Sequence, residues 1–244
     1  MFAKINFHDE FYQKLKLLVL PITMQQFMLA LVSATDAIML GAVSQTSLSA
    51  VSLAGQIQFV LNLFISGISA GSGIMAAQYW GKKDAASIEE VMPIALRTNL
   101  IFSGVFTVFA AVAPEVLMRI FTSDPALIES GAVYLQAVSL SYLLCGISQI
   151  YLILLKNTGY ATVSSRISCT AVVVNIICNA ILIYGLLGLP ALGIQGAAYA
   201  TVIARLVELV WSYLETKQSG RVQIIWKKMF CKMTENTGRI LSKK

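Results

Sequence analysis

The sequence predicts an all-α polytopic membrane protein with six transmembrane helices. Of its 244 residues, 57% are hydrophobic and 12% charged, with a mean hydropathy of +0.74. Soluble domains carry roughly 25% charged residues. The apolar residues fall into six runs, each long enough for the about 20 residues that a spanning helix needs. The charges are also sorted by connection. Lys4, Lys14 and Lys16, then Lys82 and Lys83, then Lys156 and Arg166, and finally a basic tail occupy alternate connections, while those between them offer only Arg119. By the positive-inside rule both termini are cytoplasmic, which requires an even number of spans. The net charge of +6 is therefore topological and does not point to nucleic acid.

The N-terminal lead, residues 1–13, carries acidic residues ahead of the first apolar run and shows no small-residue cleavage site. The first span is thus expected to be a retained anchor. His8 in this lead has no partner pattern. Residues 14–215 hold the six spans. Span one covers Lys14 to Gly41 and contains Pro21, which removes one backbone bond and should bend the helix. The Ser-rich connection VSQTSLSA leads to span two, Val51 to Tyr79, where Gly67, Ser69, Gly71 and Gly73 form a small-residue stripe suited to close helix contact. The charged loop WGKKDAASIEE precedes span three, Val91 to Ala113, which stops at Pro114. Arg97 lies near enough to its start to snorkel to the surface.

An amphipathic connection, PEVLMRIFTSDPALIES, follows, in which Ser123 or Asp124 can cap the helix entering at Pro125. Span four covers Gly131 to Leu155, and the link KNTGYATVSSR leads to span five, Ile167 to Leu187. The turn LGLPALGIQG separates it from span six, Gly193 to Leu214. Residues 216–244 are a basic cytoplasmic connector or tail with no run long enough to span.

Polar groups inside the spans carry the chemistry. Asp36 lies deep in span one, where an acidic residue costs roughly 2.5 to 3.5 kcal/mol and normally faces a bundle interior or a wet cavity. Gln25 lies eleven residues earlier, close to three turns, so it shares the face of Asp36 and is a cavity-lining candidate. The stripe reads as part of an ion or proton path, or as interhelical packing. Asn175 and Asn179 in span five are spaced i,i+4 and stack on one face. Their amides suit a sodium ion, a proton with ordered water, or plain hydrogen bonding between helices. Tyr134 sits near the outer end of span four, where a tyrosine by position is an interfacial belt residue. Arg205 and Glu208 in span six are i,i+3 neighbours that can neutralise each other as a structural pair.

Cys145, Cys169, Cys178 and Cys231 show no metal or redox spacing and are expected as buried free thiols. No nucleophile-and-base pair or phosphate loop appears, and GIQGAA at Gly193 to Ala198 lacks the strand of a dinucleotide site. The expectation is a protein that is not an enzyme, holds no cofactor or resident metal, and depends on an ion gradient.

Five segments in order carry a family resemblance: TDAIMLGAVSQTSLSAVSLAGQ, AAQYWGKKD, IFTSDPALIESGAVYL, GYATVSSRISCTAVVVNIICNAILIYG and LGIQGAAYATVIAR. With these the chain resembles the multidrug and toxic compound extrusion (MATE) family of cation-coupled antiporters, from about Pro21 to Arg205. The resemblance implies two six-helix lobes around a central cavity, of which this chain is the N-terminal lobe. It implies that Asp36 is the coupling carboxylate, with Asn175 and Tyr134 close to it and Pro21 at the bend of the first helix. Some members carry a second carboxylate where this chain has Asn179, so a two-carboxylate proton relay is not implied. The expected activity is export of cationic, amphiphilic small molecules across the plasma (inner) membrane, coupled to H+ or Na+, with sodium held at Asp36 if it is the ion. The expected partners are membrane lipid and a second lobe, either another chain or a second copy. A lipid-linked oligosaccharide flippase and a truncated, non-transporting half are the alternatives.

Overall fold

The computed structural model describes the backbone of residues 7–188, 190–218 and 220–226, with the side chains of that set from Val19 onward, Pro21 excepted. His8, the side chain of Pro21, Cys231 and most of the basic tail lie outside the described side chains. The chain forms α1 (Phe7–Val43), α2 (Gln45–Gly81), α3 (Ala85–Val112), the short α4 (Pro114–Arg119), α5 (Pro125–Asn157), α6 (Ala161–Tyr184) and α7 (Gly193–Thr216). A single 3₁₀ turn, Leu186–Gly188, follows α6. Six of these helices are long and apolar enough to cross a membrane.

The helices outrun the apolar runs because polar caps start them early. Ser44 accepts from the Ser47 amide at 3.0 Å, so the expected connection of residues 43–50 shrinks to a single residue between α1 and α2. Asp84 accepts from the Ser87 amide at 3.1 Å and its hydroxyl at 2.6 Å, which turns half of the charged loop into the first turn of α3. Those two donors hold the Asp84 carboxyl below its ordinary range. Of the two candidate caps for α5, Asp124 acts, accepting from Ala126 at 2.9 Å with Pro125 in the first helical position.

Helix α5 is the centre of the lobe, packed against α2, α3 and α7; α6 packs on α7, and α1 lies mainly along α6. Close approach at α3 and α5 rests on Gly146, where an added Cβ would meet Ser103 Oγ at 2.5 Å. The Asn99 amide adds a bond to the Gly146 carbonyl at 3.2 Å. This is packing through small residues and interhelical bonds, which replace the hydrophobic drive that lipid does not supply. The predicted stripe on α2 is corrected in part. Gly67 and Gly71 face outward with nothing nearby, whereas Ser69, Ser72, Gly73 and Ala76 are buried. Gly73 meets Ile153 and Asn157 of α5. The buried face is therefore offset from the GISAG run.

The start of the tail is packed. Val222 and Ile224 are buried in a cluster with Tyr79, Ile88 and Met92, and Trp226 donates to the Tyr151 hydroxyl at 2.9 Å. Arg221 pairs with Glu215 and lies over the Tyr160 ring at 4.3 Å. This segment closes the basic end of the lobe. Among the cysteines, Cys145 is a buried free thiol, but Cys169 and Cys178 are only partly buried because they flank the packed face of α6.

Candidate functional site

Apolar side chains surround α1, and burial marks one narrow inward stripe on it. Among the described side chains between Val19 and Val43 only Gln25 and Leu40 are fully buried, with Met28, Leu29, Val32 and Asp36 half-buried between them. These positions recur every three or four residues, as one helix face requires. That face meets α6. There Asn175 and Asn179, one turn apart, point to the same side and are buried.

The result is a chain of polar contacts in the half of the lobe away from the basic loops. Asn179 Nδ2 donates to Asp36 Oδ1 at 2.5 Å and to Asn175 Oδ1 at 3.1 Å. A carboxylate accepts only, so it turns the amide nitrogen of Asn179 toward itself. The Asn179 carbonyl oxygen is left buried without a partner. Asn175 Nδ2 in turn reaches Thr201 Oγ1 at 3.5 Å, on α7. Tyr134, on α5, stands beside Thr201 and in the field of Asp36. It is 9% exposed. The belt position that a tyrosine near a span end suggests is thus overturned, because Tyr134 belongs to a buried core cluster with Leu40, Leu61, Ala197 and Ala198.

Thr201 was not apparent from the sequence. A lone threonine in an apolar helix usually bonds its own backbone, and Thr201 does so, donating to the Ala197 carbonyl at 3.0 Å. Its approach to Asn175 depends on the tight return from α6 to α7. Gly185 ends α6 in the left-handed region at φ 71, and Gly196 lies so close to Leu182 that a Cβ would come within 2.6 Å of its carbonyl oxygen.

Gln25, three turns before Asp36, is turned toward α6. It is 7% exposed, and its amide donates to Ser168 of α6 at 2.8 Å. The Ser168 hydroxyl reaches Glu208 Oε1 at 3.3 Å, and Glu208 Oε2 accepts from Ser148 at 3.0 Å and Arg205 at 2.8 Å. Arg205 and Glu208 form the pair that their spacing predicts. That pairing leaves the Asp36 carboxylate with an amide, not a cation, as its hydrogen-bond partner. One acid, two amides, a hydroxyl and a phenol on four helices offer hard oxygen ligands or a protonation site, and none of them is a nucleophile with a base.

The model of the MatE family matches residues 21–181. The chain is similar to the uncharacterized transporter YisQ of Bacillus subtilis, 25% identical over 84% of this chain and 45% of that protein. It is also similar to the probable multidrug resistance protein NorM of Thermotoga maritima, 26% identical over 81% of this chain and 43% of the relative. Among solved structures, an outward-facing multidrug resistance MATE family transporter of the MOP superfamily superposes with a TM-score of 0.79 at 22% identity. The overlap takes in 92% of this chain and 49% of that one. A MATE structure in a bent conformation gives the same score and coverage. The chain spans about half the length of the relatives it matches.

Proposed function

The chain belongs to the MatE family, and from that membership we propose that it is the N-terminal lobe of an antiporter exporting cationic, amphiphilic compounds. The observation that carries the reading is the Asp36–Asn179–Asn175 chain, with an unpartnered buried amide oxygen at its centre. Uptake of H+ or Na+ at Asp36 neutralises the one formal charge of this cluster. A neutral Asp36 accepts the Asn179 amide less strongly, so α1 loses part of its hold on α6. Coupling follows if drug and ion prefer different positions of α1, or compete for the same negative site. Tyr134, Asn175 and Thr201 orient the amide pair, and Pro21 is the place where α1 bends. If sodium is the ion, Asp36 and the amide oxygens are its ligands, which suits a hard cation.

The basic ends of α1, α2, α5 and α7 face the cytoplasm in this reading, with the lobe in the plasma membrane. A second lobe supplies the other wall of the cavity. A phosphate-bearing lipid head group is a poorer cargo, because Arg205 is already tied to Glu208. The deciding experiment is efflux of a fluorescent organic cation from cells expressing this chain, alone and with Asp36→Asn. Efflux that is driven by an imposed H+ or Na+ gradient and lost in the variant supports the reading. Gradient-driven efflux that survives Asp36→Asn refutes it.

A further inference from the structure

Two hydrogen bonds join α1 to α6 with the same separation of 143 residues: Gln25 to Ser168, and Asp36 to Asn179. The helices run side by side in one direction, so both partners advance by eleven residues from one rung to the next. At 1.5 Å per residue the rungs stand about 16 Å apart along the interface. The rung at Asp36 has company, since the Tyr184 hydroxyl donates to the Met39 carbonyl at 3.2 Å and Leu40 is buried nearby. Among the described side chains from Val19 to Met39, Gln25 alone is fully buried. Leu20, Met24 and Phe27 beside it are exposed. A polar rung therefore sits where the neighbouring described apolar side chains are at most half-buried.

That rung is backed by a charge. Ser168 is oriented by Glu208, which is 2% exposed and fixed by Ser148 and Arg205. By giving its proton to Glu208 Oε1, the Ser168 hydroxyl presents its lone pairs to the Gln25 amide, which links the buried charge to α1.

We propose that Glu208 is a positioning residue: acting through Ser168, it pins Gln25 and so fixes the basic-end half of α1 on α6, leaving the Asp36 half to respond to the ion. This rests on Asp36 being the coupling residue, but the pin itself can be tested without transport. Hydrogen–deuterium exchange of the purified full chain in detergent reads each helix separately. Ser168→Ala and Gln25→Leu should speed exchange of α1 amides around position 25 by about threefold to twentyfold, the span of measured interhelical bonds. Ser168→Thr keeps the hydroxyl and should restore protection. Exchange in α3 and α5 should stay at the parent rate. Unchanged α1 exchange in Ser168→Ala overturns the proposal, as does acceleration spread equally over α3 and α5. Loss of the pin with no ion-coupled efflux in the parent would leave the Glu208–Ser168–Gln25 pin standing and remove the antiport reading, with the ion response of the Asp36 half.

Discussion

Asn179 donates to Asp36 across the α1–α6 interface at 2.5 Å, and the same amide nitrogen reaches Asn175 at 3.1 Å. One side chain thus joins the carboxylate to the interior of the lobe while its own oxygen stays buried and unpartnered. Substitution at Asn179 tests this directly. Asn179→Leu removes the donor while keeping the volume, and ion-driven efflux should fall more than tenfold, a loss of about 1.4 kcal/mol or more in coupling. Efflux of a fluorescent cation under an imposed gradient checks it, with expression level as the control.

The cluster has a single carboxylate, so its ion dependence should be that of one site. Asn179→Asp would set a second acid beside Asp36, and two like charges at that range resist joint ionisation. That repulsion separates the two proton-uptake steps, so efflux of the variant should depend on pH over a wider range than that of the parent. Equal ranges would mean that position 179 does not take part in ion uptake.

Gly196 is where α7 meets the end of α6. A Cβ there would come within 2.6 Å of the Leu182 carbonyl and 2.9 Å of the Ile183 amide, both backbone atoms that cannot swing aside. Gly196→Ala should cost about 1–3 kcal/mol of stability, seen as a lower melting temperature in detergent. It should also weaken ion-coupled efflux, because Thr201 moves with α7 away from Asn175.

At the basic end, Trp226 anchors the segment after α7 through Tyr151, with Val222 and Ile224 buried beneath. Trp226→Phe loses the hydrogen bond alone, about 0.5–1.5 kcal/mol, whereas Trp226→Ala loses the ring as well. Trypsin cleavage after Arg221, timed on a gel, should quicken modestly in the first and strongly in the second.

The cap of α3 gives a pH dependence with a definite sign. The Ser87 hydroxyl and amide hold the Asp84 carboxyl below its ordinary value. The stabilisation is therefore present above the unfolded value of roughly 3.9 and is lost as pH falls through the lower folded value. Amide exchange at Ser87 and Ile88, corrected for intrinsic rates, should accelerate over that acidic range. In Asp84→Asn the acceleration should vanish.

What the sequence determined by itself were features that depend on one helix at a time. Apolar run length gave six spans, cap residues narrowed the start of α5 to Ser123 or Asp124 ahead of Pro125, and helical spacing put Gln25 with Asp36 and Asn175 with Asn179. Those are consequences of 3.6 residues per turn and of backbone donors that must be satisfied. The tertiary structure decided which faces meet. Asp36 and Asn179 are 143 residues apart, and no local rule relates their helices. Burial of Tyr134, arrival of Thr201 through the tight turn at Gly196, and diversion of Gln25 to Ser168 each depend on a neighbour from a distant span. Periodicity says which residues share a face; only the packing of helix on helix says what that face confronts.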